Sequence, residues 1–467
     1  MRQLIRVAIA IFTAMAIALT HSLAIAQTPV AEVRIQPQTI IGQAGFFRIG
    51  QSAQGRWWFL DPQDRPFFYR GVTSVNPRYP SPYAQWVTQH YGEDIQAFRQ
   101  ATFERLQNWN FNALGAWTGE ELWEQGMPYT VLLNFVRAGN PIQQDGIWLP
   151  DVFDPQWVSG IDAKAREVAG KLANSKQLIG YFTDNELSWA QLETPDRTVD
   201  SSLLLDPNLN PSLLQWFLSL ETDRPGYQAA WEFALARHQQ SLAQLSTDWQ
   251  VELASPESLK QLTSRGVAIV SPGYLADQAA FSALFAQRYF ELTAAAIHRY
   301  DRHHLILGCR FGAPPSREIF QAMRHPWVDV VSANNYRYEM FDRMDIYYQN
   351  THLPVLNSEF SWVYGHFTGR PLPEEPETER SATQRMLEHG EQALQRAFQH
   401  PALIGYTWYR WVDLPESSPP ANYGLVTLQD EPKREQTDVL TCLNGSAEAI
   451  AIGRITTANC WRANEGS

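Results

Sequence analysis

The sequence predicts a (β/α)8 TIM barrel with an N-terminal β-hairpin before it and a long insertion after its fourth strand. Eight short apolar runs each end in polar or aromatic residues. Continuous apolar runs are typical of parallel strands that are buried on both faces. Segments with helical periodicity separate the runs, as a barrel requires. A doubly wound sheet would also alternate, but the sequence lacks the glycine-rich phosphate loop that usually marks one.

The first 26 residues indicate an export signal. Arg2 and Arg6 flank the start of an apolar run, and Ala24 and Ala26 form an Ala-x-Ala cleavage site before Gln27. We therefore expect a secreted or periplasmic protein that has no membrane partner once the signal is removed. Retention of the apolar run as an uncleaved anchor is the alternative.

Residues 27–66 are predicted to form an N-terminal segment that contains the β-hairpin. Its arms are aromatic-rich, and "DPQD" at 61–64 supplies the turn between them. The barrel is then predicted over 67–428. Its eight expected strands are residues 67–75, 112–117, 129–135, 178–184, 305–311, 328–336, 354–360 and 403–409.

Helical periodicity is clearest at 95–109, 283–301 and 377–398. The gap between the fourth and fifth strands is too long for one helix, so an insertion is predicted at about 190–275, where it would wall a substrate cleft. Residues 429–467 form a C-terminal tail. Cys442 and Cys460 in that tail could pair in an oxidising compartment, whereas Cys309 lies in an apolar run and is expected to be a buried thiol.

Composition excludes some function classes. The formal net charge is −12 and there is no block of Lys or Arg, which disfavours nucleic acid as a partner. His303 and His304 are adjacent, and a surface position is favoured over a metal site for them. No metal or other cofactor is expected. The 17 Trp residues fit either core packing or stacking surfaces for sugar rings.

In such a barrel, function lies at the C-terminal ends of the strands. Glu186 follows the fourth predicted strand and Glu359 lies at the end of the seventh, so the two are expected to face each other as a catalytic pair. Paired carboxylates about 5–5.5 Å apart carry out retaining glycoside hydrolysis. One must be protonated, which burial favours, while donors keep the other ionised. The side chains predicted to bind substrate near these strand ends are Asn185, Tyr336, Asn134, Trp117, Trp189, Trp362 and Trp408.

A single glutamate after a strand is often a helix cap or a salt-bridge partner, and Asp184 is favoured as a scaffold group. The combination of Asn185–Glu186, Tyr336 and Glu359 on three strands favours catalysis. In this arrangement Tyr336 would donate to the ionised carboxylate. The amide of Asn185 would hold a sugar hydroxyl next to the reacting carbon.

The motifs "TDNE" and "NSEF" resemble those of clan A retaining glycoside hydrolases. Within that clan, "GRWWFLDPQDRPFFYRGVTSV", "GYFTDNELSW" and "GYTWYRWVDLP" followed by "NYGLV" resemble the agarase-like family, family 50. The resemblance covers most of residues 45–428. It implies hydrolysis of β-linked galactan with retention, with Glu186 as the acid/base and Glu359 as the nucleophile.

The predicted function is a retaining β-glycosidase acting on a neutral polysaccharide or oligosaccharide. Barrels of this clan also cleave β-mannan, β-glucan or β-galactosides with the same two glutamates, so the fold and the pair do not select the sugar. Two other functions stay open: a non-catalytic carbohydrate-binding barrel and a transglycosylase that remodels envelope glycans. Endo or exo action and the oligomeric state are not predicted.

Overall fold

The computed structural model describes residues 33–92, 94–144, 147–189, 212–264, 271–336, 339–362, 379–416 and 423–461. The predicted export signal and parts of the predicted insertion lie outside these ranges. Among the described residues, no helix combines the length and the apolar character needed to cross a bilayer.

The predicted N-terminal hairpin is present and carries a third strand. Strands β1 (Arg48–Gln51), β2 (Trp57–Leu60) and β3 (Pro66–Phe67) form an antiparallel sheet in that order. Asp61 closes the turn between β2 and β3, since its carboxylate accepts hydrogen bonds from the backbone N–H groups of Gln63 and Arg65, each at 2.9 Å. The turn predicted at "DPQD" is therefore confirmed.

The barrel contains all eight predicted strands, in chain order around a closed ring. Beyond the hairpin, the strands are β4 (Tyr69–Val72), β5 (Ala113–Leu114), β6 (Tyr129–Leu132), β7 (Ile142–Gln144), β8 (Ile147–Leu149), β9 (Leu178–Phe182), β10 (Leu305–Ile306), β11 (Val331–Asn334), β12 (Val355–Phe360) and β13 (Leu403–Trp408). Strands β7 and β8 form a separate antiparallel pair. The other eight are parallel, in the order β10-β9-β6-β5-β4-β13-β12-β11. A parallel bridge between Phe311 and Ala333 closes the ring between β10 and β11, which confirms the TIM barrel.

Helices surround the barrel and build the insertion. They are α1 (Ser81–Tyr91), α2 (Ile95–Asn108), α3 (Pro155–Leu172), α4 (Leu213–Ser219), α5 (Pro225–Arg237), α6 (Leu242–Trp249), α7 (Pro256–Ser264), α8 (Pro272–Tyr300), α9 (Arg317–Ala322), α10 (Met340–Thr351), α11 (Glu379–Phe398) and α12 (Arg434–Ala451). Several begin as the sequence dictates. The Asp94 carboxylate caps α2 and the Asp154 carboxylate caps α3 by accepting from backbone N–H groups of the first turn.

Two helices differ from the prediction. Helix α8 starts at Pro272 rather than near residue 283, because Ser271 caps it and a proline is well tolerated in the first turn. The predicted C-terminal tail contains α12, a helix that the sequence analysis did not identify. Its apolar positions, Val439, Leu440 and Leu443 among them, are buried. The disulfide between Cys442 and Cys460 forms with a Cα–Cα distance of 5.5 Å, so the predicted pairing is confirmed.

The N-terminal sheet closes the bottom of the barrel, at the N-terminal ends of the strands. Arg56 donates hydrogen bonds to the backbone carbonyls of His400 (2.9 Å) and Leu403 (3.1 Å) at the start of β13. The guanidinium also packs over the rings of Trp58 and Phe68. The opposite end, where the strands finish, is the end at which the sequence predicts the site.

Candidate active site

Glu359 is a buried carboxylate held by two donors. It lies in β12 at the C-terminal end of the barrel and is 4% exposed. Arg310 Nη2 donates to Oε1 at 2.7 Å, and the Tyr336 hydroxyl donates to Oε2. The pKa of Glu359 is raised to about 7, mainly by burial and also by the charge of Glu186, while Arg310 and Tyr336 oppose the rise. The carboxylate is therefore near the balance between its two protonation states at neutral pH.

Glu186 lies beyond the end of β9 on a left-handed residue, with φ of +47°. Its backbone N–H donates to the carbonyl of Arg310 at 3.1 Å, which fixes this turn against the next strand. Asn334 Nδ2 donates to Glu186 Oε1 at 2.8 Å. In contrast to Glu359, the Glu186 side chain is exposed. The sequence reasoning expected a buried acid, but the left-handed turn directs this carboxylate into solvent.

A hydrogen-bond network connects the two glutamates. Arg310 Nη1 donates to Asn185 Oδ1 at 2.5 Å, and Asn334 Nδ2 donates to the same oxygen at 3.1 Å. Because a guanidinium can only donate, the Asn185 atom that faces it must be the oxygen, and the NH2 group points elsewhere. Ser358 Oγ donates to Asn334 Oδ1 at 2.7 Å and so fixes that amide too. The network therefore sets the orientation of both amides, Asn185 and Asn334.

Asp184 supports the site from beneath. It is fully buried and accepts hydrogen bonds from the backbone N–H of Val136 (2.8 Å) and the hydroxyl of Tyr289 (2.7 Å). Burial raises the pKa of Asp184 to about 7, against the effect of both donors. Asp184 therefore ties β9 to the segment after β6 and to α8. This matches the scaffold role favoured from the sequence.

A cleft of about 660 Å³ opens beyond the C-terminal ends of three barrel strands, and we call it the side cleft. It is formed by residues that follow β4, β5 and β13, among them Ser74, Asn76, Tyr79, Trp117, Tyr409 and Arg410. Trp117 connects it to the network, since the Arg310 guanidinium lies 4.4 Å from the centre of the indole ring. Tyr409 does so as well, because its ring lies 6.1 Å from that of Tyr336.

Of the four tryptophans predicted to contact substrate, Trp117 alone lies at an open surface, and it is 36% exposed. The predicted substrate contact is wrong for the other three, because Trp189, Trp362 and Trp408 are only 3%, 2% and 0% exposed. Trp189 packs among aromatic side chains of α8 and Phe311. Trp362 and Trp408 pack edge to face at 4.9 Å. Because neighbouring aromatic rings cover them, these three serve as core residues.

Asn134 lies just after β6 in a left-handed conformation, with φ of +54°, and is half-buried. Its place is therefore at the functional end of the barrel. Within the described ranges, no contact joins its side chain to the network around Glu359. The structure thus groups Glu186, Glu359, Asn185 and Tyr336, with Trp117 beside them, and leaves Asn134 at the periphery.

The histidine pair lies away from this site. His304 is buried, with Nδ1 at 2.6 Å from Asp301 Oδ2 and Nε2 at 2.8 Å from the Ser175 carbonyl. The predicted surface position is therefore wrong for His304, which the Asp301 carboxylate allows to be buried. His303 is half-buried and stacks on Phe46. Among the described residues, no group of three or more His, Cys, Asp or Glu side chains is arranged to hold a metal ion.

Sequence reasoning missed Arg310 and Asn334 as members of the hydrogen-bond network, and Tyr409 beside it. Arg310 ends the fifth apolar run, "LILGCRF", in the place where the other runs end in polar groups. A charged residue directly after a buried strand is the signal that could have identified it. It is fully buried and left-handed, with φ of +52°.

Comparison with known proteins gives matches in sequence and in fold. No protein-family model matches the chain. The chain is 27% identical over 260 residues to β-agarase A of Vibrio sp. (strain JT0107), which covers 54% of this chain and 25% of that protein. It is 23% identical over 360 residues to β-agarase B of the same organism, which covers 73% of this chain and 35% of that protein. The matched part thus spans about a quarter to a third of these relatives.

Solved structures share the fold. An exo-β-agarase has a TM-score of 0.69 at 19% identity, covering 88% of this chain and 66% of that chain. An agarase has a TM-score of 0.67 at 22% identity, covering 90% and 66%. The structure named BpGH50 has a TM-score of 0.63 at 16% identity, covering 91% and 89%. The predicted resemblance to the agarase-like glycoside hydrolase family 50 is thus confirmed, by sequence against two β-agarases and by fold against solved agarase structures.

Proposed function

We propose that the protein is a retaining glycoside hydrolase that cleaves β-linked galactan of the agarose type. The observation that carries this proposal is the pairing of Glu186 and Glu359 through one network at the C-terminal end of a TIM barrel. The names of the related proteins, β-agarases and an exo-β-agarase, support the galactan substrate. The predicted export signal at 1–26 would deliver the enzyme to an extracellular or periplasmic polysaccharide.

The environments of the two carboxyl groups support the roles proposed for them. Glu359 receives hydrogen bonds from a cation and a phenol, both of which stabilise the ionised form, so it is the nucleophile. Glu186 has one amide donor and is exposed, so it can reach both the leaving oxygen and water. It is therefore the acid/base.

Hydrolysis then proceeds in two displacements. A Glu359 oxygen forms a bond to the anomeric carbon while the bond to the glycosidic oxygen breaks, and Glu186 transfers its proton to that oxygen. In the second step Glu186 takes a proton from water, whose oxygen displaces Glu359 from the same carbon. The sugar thus retains its β configuration, and both carboxyl groups return to their starting states.

Asn185 is the proposed contact to the sugar next to the reacting bond. Both hydrogen bonds to its Oδ1 come from protein donors, which leaves its NH2 group to donate to a sugar hydroxyl. A donor held in place before substrate binds costs no reorganisation in the transition state. Trp117 offers an exposed indole face for a pyranose ring.

Azide rescue tests the assignment of roles. Glu359→Ala should abolish hydrolysis of a β-galactan oligosaccharide, and azide should restore turnover with an α-glycosyl azide as product. Glu186→Ala with azide should give the β-glycosyl azide, because azide then attacks the glycosyl-enzyme. Glu104→Ala, at an exposed position on α2, is the control and should hydrolyse normally. Unchanged hydrolysis by Glu359→Ala would refute the role of Glu359. Binding without hydrolysis in the unmodified protein would indicate a carbohydrate-binding barrel instead.

A further inference from the structure

The side cleft contains a buried cation that has no anionic partner within the described ranges. Arg410 lines this cleft and is 2% exposed. Its Nε and Nη2 atoms are buried without a hydrogen-bond partner in that part of the chain. Its nearest described neighbours include two aromatic rings, those of Tyr79 at 5.3 Å and Tyr409 at 5.7 Å. Tyr409 is also a side-chain hydrogen-bond partner of Arg410, but neither ring supplies an anionic partner or an acceptor for Nε and Nη2.

Other arginines of the molecule show that this situation differs from simple burial. Arg56 is also buried, but two backbone carbonyls accept its hydrogen bonds. Arg78 lines the same cleft, and its charge is paired with Glu121, with Nε at 3.0 Å from Oε1. Arg310 is fully buried but bonded to Glu359. Arg410 therefore stands apart as a buried cation in a cleft, with two guanidinium nitrogens, Nε and Nη2, that have no acceptor in the described part of the chain.

The chemistry of the missing partner follows from the properties of a guanidinium. A buried cation needs both hydrogen-bond acceptors and a compensating charge. A neutral hydroxyl supplies an acceptor but leaves the charge uncompensated. A sulfate or carboxylate group supplies both and matches the planar fork of donors.

The side cleft is also positioned to hold a sugar next to the one being cleaved. It is formed beyond β4, β5 and β13, and β13 is the neighbour of β12, which carries Glu359. Trp117 and Tyr409 belong both to the cleft and to the surroundings of the network. Tyr79 is 45% exposed and adds another aromatic surface.

We propose that the side cleft is a sugar subsite in which Arg410 recognises an oxyanion, a sulfate ester or a carboxylate, on a residue of the galactan chain. This inference rests on the proposed function and narrows its substrate to galactans with anionic substituents. The neutral substrate expected from the overall charge of −12 would then be a poorer ligand than its anionic counterpart. A single local cation suffices for this preference, since it acts at contact distance.

The test compares three agaro-tetrasaccharides, one neutral, one with a single sulfate ester and one with a single carboxylate. Binding is measured by calorimetry on the Glu186→Gln variant, which should not turn the probes over. We expect the better anionic probe to bind at least about 10-fold more tightly than the neutral one, because hydrogen bonds to charged groups are the stronger class. The anionic preference should weaken as salt is added.

Substitution of Arg410 in the same background locates the source of the preference. Arg410→Met should abolish it, and Arg410→Lys should retain part of it, because the charge remains while the fork is lost. Arg56→Met, which removes a buried arginine at the opposite end of the barrel, is the matched control and should leave the anionic preference unchanged. A preference that survives in Arg410→Met would overturn the inference.

The outcome does not depend on whether the variant folds. If circular dichroism shows that Arg410→Met is unfolded, the proposal is tested on the parent protein alone, by its preference for an anionic probe over the neutral one and by the salt dependence of that preference. Equal affinity for the three probes rejects the proposal. Failure of the proposed function can be distinguished from failure of this inference by the hydrolysis of the probes. In that case the unmodified protein hydrolyses none of the probes, whereas failure of this inference leaves hydrolysis of the neutral probe intact.

Discussion

Replacing Arg310 by Met should move the acid limb of the pH–rate profile upwards. Arg310 donates to Glu359 at 2.7 Å, and both side chains are buried. A hydrogen bond to a charged group contributes about 1.5–3 kcal/mol, and one pKa unit corresponds to about 1.4 kcal/mol. The pKa of Glu359 in the folded protein is already about 7. Loss of Arg310 should raise that pKa by about one to two units, which lowers the ionised fraction at pH 7 about 5- to 50-fold.

The assay is kcat/KM on an agarose oligosaccharide between pH 5 and pH 10. Because the nucleophile must be ionised, the acid limb should lie near pH 7 in the unmodified protein and about one to two units higher in the variant. Arg56→Met is the matched control, since it removes a buried arginine at the opposite end of the barrel. It should cost stability without moving the limb. An unmoved limb in Arg310→Met would refute the assignment of Glu359 as the nucleophile.

Thermal unfolding provides a second readout on the same variant. The pKa of Glu359 lies above its ordinary value of 4.5 in the folded state. The folded protein therefore binds this proton more tightly than the unfolded chain does. The contribution of Glu359 to the free energy of unfolding accordingly falls as the pH rises from about 4.5 to about 7. In Arg310→Met the loss should be larger and extend to higher pH, so the variant should be destabilised more at pH 9 than at pH 5.

Three further predictions concern the core, the tail and the support of the site. Trp189→Ala should cost about 3–5 kcal/mol of unfolding free energy, measured by urea titration, whereas Trp117→Ala should cost far less and raise KM, because one ring is buried and the other exposed. Reduction of the Cys442–Cys460 disulfide, which links residues 18 apart, should cost about 3 kcal/mol, and a thermal midpoint unchanged by reductant would contradict this. Asp184→Asn should cost about 1–3 kcal/mol, because an amide oxygen replaces a carboxylate that accepts two buried donors; an unfolding free energy equal to that of the unmodified protein would argue against its scaffold role.

The barrel could be predicted from the sequence because each strand is a continuous apolar run bounded by polar residues. That pattern is local, and it also placed Glu186 and Glu359 at the functional end. The exposure of a side chain after a strand is not local. Trp189 and Glu186 are three residues apart in the same motif, yet one is buried among aromatic rings and the other points into solvent. The left-handed backbone at Glu186 produces this divergence, and no residue type in the motif signals it.

The pairing of Arg310 with its partners at the site could not be predicted from the sequence either. Arg310 precedes Phe311 in an apolar run, where an arginine is costly unless it is paired. Its partners, Asn185 and Glu359, lie 125 and 49 residues away. Hydrogen bonds over such separations are created by the closure of the ring, so they follow from the fold and not from any pattern along the chain.

The closure of the ring between β10 and β11 is irregular, and this has a consequence for motion. In the described part of the chain one parallel bridge joins the two strands, and backbone hydrogen bonds flank it from the N–H groups of Asp329 and Val330 to the Ile306 carbonyl, from Phe311 to Ser332 and from Asn334 to Phe311. Ser332 Oγ accepts from the Arg310 N–H at 2.9 Å, and Asp329 Oδ2 accepts from the Ile306 N–H at 2.8 Å. A junction with a single bridge pair can open locally at lower free energy than a longer, regular ladder such as that between β12 and β13. Amide hydrogens along this junction should exchange with deuterium ahead of those in β12 and β13, and a bound glycan that spans Asn185 and Tyr336 would slow that exchange.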